Sequence, residues 1–154
     1  MVNRSKRKSK SQVYRANSKG ALGQIKPQLK TLYQAGNFID ALVLVRKIVS
    51  RQTTDVDLLN LAGLLELQAG SAERAIDWFY IVHGQIPDNP DVSDNLGSSY
   101  CAAGQYDNGQ KQFETLLKKY PERLQAWCNL GSAKSNLGDT DGARQAYKYA
   151  LNID

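Results

Sequence analysis

The chain has 154 residues, 42% of them hydrophobic, and a net charge of +5, a length that suits one domain or one short repeat array. No apolar run approaches the roughly 20 residues of a membrane-spanning helix, and the N-terminus lacks the apolar segment of a signal peptide. The two cysteines form no CxxC pair, so we expect reduced thiols and a cytoplasmic protein without membrane contact.

The first 20 residues differ in composition from the rest of the chain. Residues 1–19 hold seven Lys or Arg and no acid, with few aliphatic side chains. Such a segment buries too little apolar surface to fold alone, so residues 1–20 are predicted to be a basic disordered tail. We favour a solvated tail without a binding role. A weak electrostatic contact with nucleic acid is the alternative.

Four glycines recur along the remainder of the chain, each 34 residues after the one before. Around each of them, apolar residues return at spacings of three, four and seven, which is typical of amphipathic helices. Glycine can end a helix with a positive φ at no steric cost, so each glycine is predicted to be the turn of a helical hairpin. These turn glycines are Gly36, Gly70, Gly104 and Gly138. The predicted hairpins lie near residues 22–55, 56–89, 90–123 and 124–154.

The first hairpin departs most from the others. Pro27 would break a full-length first helix, so this helix is expected to begin at or just before Pro27. Asn37 is suited to cap the second helix, with Asp40 in its first turn. In the third hairpin the start is well marked, because Asn89 is a candidate N-cap and Pro90 stands at the first helical position.

The fourth hairpin is the most regular. Gly131 and Ala143 are predicted to lie where its two antiparallel helices cross, since a larger side chain would hold the helix axes apart. Trp127 and Tyr147 fall on the faces that meet. The order Trp, Leu-Gly, Ala, aromatic, Ala resembles the tetratricopeptide repeat. Lys134 departs from it, because the family usually has an aromatic residue there.

The resemblance implies an all-α, right-handed superhelical solenoid of about four antiparallel helix pairs, covering residues 21–154. It also implies a concave groove lined by the first helix of each pair. Carried onto this sequence, the groove positions are Lys30, Tyr33, Gln34, Asp57, Asn60, Leu64, Asp91, Asp94, Asn95, Ser98, Asn129, Ser132 and Asn136.

Two binding modes known in the family can be compared with this lining. Asn95 and Asn129 occupy the position whose amides hold peptide backbone in the repeats of a glycosyltransferase. The carboxylate clamp of chaperone-binding repeats fits poorly, because Ser98 and Ala102 stand where its later basic pair should be. Asp91 and Asp94 would also repel an acidic peptide. Asparagine is also common at this position in repeats of unknown role. A groove that does not use the Asn95 and Asn129 amides to bind peptide is therefore the alternative.

The sequence contains no phosphate-binding loop, nucleophile elbow, zinc-protease motif or cysteine–histidine cluster. His83, the single histidine, has no second ligand at a useful spacing, so we expect no catalytic residue, no metal and no cofactor. The leading interpretation is a protein–protein interaction scaffold that binds an extended peptide or a helix in the groove. A docking module of a larger sulfotransferase or glycosyltransferase is an alternative. Self-association through the C-terminal hairpin is a further expectation, since Tyr147, Tyr149 and Leu151 lie on faces that a neighbour would share.

Overall fold

The computed structural model describes residues 25–49 and 53–153, and the regular structure within these ranges is helical throughout. The chain divides into two compact units at Ile48 and Val49. The first unit holds α1 (residues 25–34) and α2 (Phe38–Ile48). The second holds α3 (Val56–Gln68), α4 (Ala72–Gln85), α5 (Pro90–Ala102), α6 (Tyr106–Lys119), α7 (Leu124–Asn136) and α8 (Thr140–Leu151). The predicted all-α series of helix pairs is confirmed. The predicted tail over residues 1–20 lies outside the described ranges.

Each pair of helices is joined by a tight turn at a glycine. The φ angle is 72° at Gly36, 74° at Gly70 and Gly104, and 83° at Gly138, so the four predicted turn glycines are confirmed. An L side chain is strained in this region. At the second of these turns, Ser71 N donates to Glu66 O at 2.8 Å and Gly70 N donates to Leu67 O at 3.0 Å. This is the Schellman arrangement, which satisfies carbonyls that the end of a helix leaves unpaired.

Side-chain caps mark the start of three helices in the second unit. The Asn89 Oδ1 atom accepts from Asp91 N at 3.0 Å and from Val92 N at 3.1 Å, with Pro90 as the first helical residue, as predicted. Asp55 and Asp139 cap α3 and α8 in the same way, accepting from backbone N–H groups at 3.1 and 2.9 Å. In the first unit, Asn37 donates from Nδ2 to the Asp40 carboxylate at 2.7 Å. Pro27 lies in the first described turn of α1, which is helical from residue 25.

In the second unit, the two helices of each pair cross where an aromatic ring rests on a glycine. A Cβ added to Gly97 would lie 2.7 Å from Phe113 Cε1, and one added to Gly131 would lie 2.6 Å from Tyr147 Cε1. Gly63 faces the Phe79 ring in the same way. The predicted crossing at Gly131 is therefore confirmed. Its contact on the second helix is an aromatic ring, which needs the space that a methyl group would occupy.

Successive pairs pack through a second set of contacts. One core cluster joins Phe113, Leu116 and Leu117 of α6 to Ala126 and Leu130 of α7. A second cluster joins Ala75 and Phe79 of α4 to Leu96 of α5. Because α4 is covered by α5 and α6 by α7, the helices α3, α5 and α7 of the second unit are brought side by side.

The substitutions Gly97→Ala and Gly84→Ala make the same chemical change in two environments. The Phe113 ring blocks a Cβ at Gly97, whereas nothing lies within 4 Å of a Cβ at Gly84 in α4. We expect Gly97→Ala to lower the free energy of unfolding by about 1–3 kcal/mol through overpacking. Gly84→Ala should raise it by about 0.5–1 kcal/mol, since alanine favours a helix. Urea denaturation measures both, and a change of the same sign in the two variants would contradict the ring contact.

Candidate functional site

The predicted groove residues of the second unit lie on α3, α5 and α7, and they differ widely in exposure. Asp94 is buried, with 8% of its surface exposed, while Asp57, Asp91, Ser132 and Asn136 are exposed. The half-buried members are Asn60, Leu64, Asn95, Ser98 and Asn129. The structure brings Asp94, Ser98 and Asn129 into direct contact.

The three predicted residues of α1 belong to the other compact unit. Lys30 and Gln34 are exposed and Tyr33 is half-buried. The Tyr33 ring packs edge-to-face on Phe38, with ring centroids 5.4 Å apart and an interplanar angle of 67°. Tyr33 therefore stabilises the first helix pair whether or not it also meets a ligand.

Asn129 connects α7 to α5 through its side-chain amide. Its Nδ2 atom donates to Asp94 Oδ1 at 3.2 Å and to Ser98 Oγ at 3.2 Å, while its Oδ1 accepts from Gln125 Nε2 at 3.0 Å. We call Asp94, Ser98, Gln125 and Asn129 the Asn129 cluster. An amide has two N–H donors and two acceptor lone pairs, so both donors of Asn129 are used and one lone pair stays open to another donor.

Arg123 is a site residue that the sequence analysis missed. Its Nη2 atom donates to Asp91 Oδ1 at 2.7 Å and lies 3.5 Å from Asp94 Oδ2, and its side chain is 26% exposed. The Arg123 Nε atom is buried and has no hydrogen-bond partner among the described residues. Arg123 immediately precedes α7, so a position pattern counted from the helix start does not include it. The available signal in the sequence was the separation of 32 residues between Asp91 and Arg123, which is close to the 34-residue repeat that brings residues of successive pairs together.

The carboxyl group of Asp94 is the most buried acid of the candidate site. Burial raises its pKa above the ordinary value of 3.8, because water no longer stabilises the charge. The Asn129 amide and the Arg123 guanidinium act in the opposite direction and do not cancel the effect of burial. The site therefore retains an acid that is poorly solvated when ionised, which is typical of binding sites and of structural ion-pair networks alike.

Asn60 and Asn95 are the remaining amides of the predicted groove in this unit. The Asn60 Oδ1 atom is buried and lacks a hydrogen-bond partner among the described residues. At Asn95 the backbone carbonyl accepts from Ser99 Oγ at 2.8 Å, and the side chain is half-buried.

The C-terminal hairpin, α7 and α8, exposes a second surface. Tyr147 is 41% exposed and Leu151 is 85% exposed. Phe113 and Phe79 occupy the place of Tyr147 one and two repeats earlier, respectively, and both are fully buried under the following helix pair. This face is therefore apolar and accessible.

Within the described ranges, no group of three or more His, Cys, Asp or Glu could hold a metal ion. No helix described here is both long and apolar enough to span a membrane. Cys101 and Cys128 are free thiols, and burial raises the pKa of Cys101. The expectations that the chain is not an enzyme and needs no cofactor stay predictions.

Comparison with known proteins identifies a family and similar solved structures. The family model described as tetratricopeptide repeat matches residues 28–90 and 95–154. The crystal structure of MamA superposes with a TM-score of 0.73 over 88% of this chain and 84% of that chain, at 22% identity, a likeness of fold alone. The Sgt2 TPR domain from Aspergillus fumigatus gives a TM-score of 0.62 at 27% identity, covering 66% of this chain and 67% of that one.

A curated relative is the heat-shock protein cognate co-chaperone sgt12 of Aspergillus fumigatus. It is 26% identical to this chain over 102 residues, which make up 66% of this chain and 30% of that protein. The chain thus spans less than a third of the length of this relative.

The raised pKa of Asp94 predicts a pH dependence of stability. The folded state binds this proton more tightly than the unfolded state, so the free energy of unfolding falls as pH rises through the window just above 3.8. Asp94→Asn removes the titration. We therefore expect wild type to lose stability relative to Asp94→Asn as pH rises from 3.8 toward the higher pKa of the folded state, measured by urea denaturation at each pH.

Asp88 supplies a control of opposite sign. A hydrogen bond from the Lys119 ammonium lowers the pKa of this exposed carboxyl, so its contribution to stability is lost as pH falls through the folded-state pKa. Wild type should therefore gain stability relative to Asp88→Asn as pH rises through the region below 3.8. If the stability of wild type relative to Asp94→Asn rose with pH, as expected for Asp88→Asn, burial would not control the pKa of Asp94.

Proposed function

Because the chain belongs to the tetratricopeptide repeat family, we propose that it is a protein-interaction scaffold that binds an extended peptide along α3, α5 and α7. The observation that carries this proposal is the Asn129 cluster, which holds polar side chains of α5 and α7 in fixed register on the predicted groove positions. A peptide backbone offers N–H and C=O groups at regular intervals, and preorganised amides can bind it at a low entropic cost.

The two asparagines differ in the role they can take. Asn129 keeps one acceptor lone pair, which suits a backbone N–H of the ligand. Asn95 lies on α5 one repeat earlier and is half-buried, so its amide can both donate and accept. The exposed carboxylate of Asp91 and the poorly solvated Asp94 lie nearby, and both disfavour an acidic ligand.

We do not propose a chaperone tail as the partner of this chain, although the fungal relative is named a co-chaperone. A clamp for a terminal carboxylate needs basic side chains on the later first helices. Ser98 and Ala102 stand at those positions of α5, and the Arg123 guanidinium is already paired with Asp91. A neutral or basic segment therefore fits better than an acidic chaperone tail. The role of a docking module for a larger transferase stays a prediction.

Replacing Asn95 with alanine tests the groove. Each lost amide contact should cost about 0.5–1.5 kcal/mol of binding free energy, which weakens affinity up to about tenfold. Peptides selected from a random displayed library on the wild-type chain would be titrated against the Asn95→Ala variant. The melting temperature should stay within a few degrees, because no other helix depends on this side chain in the proposed arrangement.

Asn108→Ala is the matched control, since Asn108 lies on α6 and its amide bonds only to Gln105 in the described contacts, at 3.0 Å. It should leave the affinity for the same peptides unchanged. If Asn95→Ala also leaves it unchanged, or if both variants weaken it equally, the selected peptides bind elsewhere and the groove assignment fails.

Self-association through the C-terminal hairpin is supported by the exposed apolar side chains of α8. Leu151→Glu would place a charge on that face, while Leu151 itself is 85% exposed and contributes little to the fold. Light scattering of concentrated wild type should show dimers that this variant loses. Val43→Glu in α2, at a residue 48% exposed, is the control and should leave the dimers intact. A wild-type chain that is monomeric at every concentration would remove this surface from consideration.

A further inference from the structure

A cleft lies between α6 and α8, above the side of α7 that faces away from the Asn129 cluster. Its volume is about 310 Å³. α7 contributes Trp127, Leu130 and Lys134, whereas Gln125 and Asn129 stand on another face of the same helix. The cleft and the proposed groove are thus separate surfaces.

The floor of the cleft is apolar and its rim is polar. Leu117, Leu130 and Ala146 are buried side chains of the core cluster, and they form the floor. Trp127 stacks on Tyr149 at one wall, with ring centroids 4.7 Å apart and an interplanar angle of 23°. Apolar floors with a few convergent polar groups are the usual composition of ligand sites.

Lys134 explains why the cleft is open. Its ammonium lies at the rim, 3.4 Å from Glu114 Oε1 and 3.4 Å from Asp139 Oδ2, and its side chain is 18% exposed. A lysine stem is thin, and it directs the charge outward toward these carboxylates. The space beside the stem, over Leu130, is therefore left to solvent.

The preceding repeat shows what fits this architecture. Tyr100 occupies on α5 the position that Lys134 occupies on α7, 34 residues earlier. The Tyr100 ring packs, partly buried, against the cluster of Ala75, Phe79 and Leu96. Leu96 is the equivalent of Leu130, so the ring covers the residue that forms the floor of the cleft in the last pair.

We propose that this cleft binds a tyrosine side chain presented by a partner protein, beside the Lys134 stem, where the ring would cover Leu130 as the Tyr100 ring covers Leu96 in the preceding pair. The ring would lie on Leu130 and Ala146, beside the Trp127–Tyr149 stack. Its hydroxyl would meet both a donor, the Lys134 ammonium, and an acceptor, the Glu114 carboxylate, at the rim. The inference is independent of peptide binding in the groove.

N-acetyl-tyrosine amide is the probe, and N-acetyl-phenylalanine amide is its match without the hydroxyl. The two indole N–H signals of Trp127 and Trp78 in a nitrogen–proton NMR spectrum report the site and an internal reference. We expect a saturable shift at Trp127 alone, with a Kd of about 1 mM or tighter for the tyrosine probe. The phenylalanine probe should bind about three- to tenfold more weakly.

Lys134→Tyr supplies the ring from the chain itself. It should fill the cleft, weaken the probe at least about tenfold and leave the melting temperature equal or higher. Asn95→Ala is the control in the groove and should bind the probe as wild type does, which separates this site from the proposed peptide site. If Lys134→Tyr does not fold, Lys134→Met keeps an apolar stem and removes the charge, and it should reduce the preference for tyrosine over phenylalanine, since the Glu114 carboxylate remains at the rim as a partner for the hydroxyl.

Three results would overturn the proposal. The first is the absence of a saturable Trp127 shift up to the solubility of the probe. The second is an undiminished shift in a folded Lys134→Tyr variant. The third is equal affinity of wild type for the two probes, which would remove the hydroxyl from the recognition.

Discussion

The contact between a helix glycine and an aromatic ring on the paired helix controls the geometry of the second unit. The ring of Phe113 lies so close to Gly97 that a Cβ there would be 2.7 Å from it, and the other two pairs of this unit repeat the contact. Gly109 of α6 also lies close to α5, because a Cβ there would be 3.2 Å from Gly97 O and against Cys101 Sγ. Because three successive pairs have the same separation, each pair stacks on the last in nearly the same way.

That regular stacking determines the functional surfaces. It places Asn129 within 3.2 Å of Asp94, although the two residues are 35 positions apart in the chain. It also brings Arg123 to Asp91 across the same interface. The polar contacts on the candidate groove thus depend on how the apolar contacts at the crossings position α5 and α7. A change at the crossing glycines would disturb the groove without touching any of its residues.

The repeats differ in size and charge at positions that the crossing does not constrain. At one such position the four copies carry Leu32, Glu66, Tyr100 and Lys134. Glu66 is 1% exposed, whereas Lys134 lies at the rim of an open cleft. The backbone tolerates this range because the position points between neighbouring pairs, where a partner side chain can compensate for size and charge. Such positions are where one repeat scaffold acquires separate binding properties.

Local patterns in the sequence by themselves determined the helix pairs, the turn glycines, the Asn89 cap and the crossing at Gly131. Each of these depends on a backbone angle or a spacing within one hairpin, which is visible in consecutive residues. Only the tertiary structure decided that Asp94 is buried, that the Asn129 amide donates to Asp94 and Ser98 of α5, and that Arg123 pairs with Asp91. It also decided that Lys134 leaves a cleft beside it. These features arise between hairpins, where small rotations of packed helices decide which side chains meet, and no periodicity within one repeat specifies that rotation.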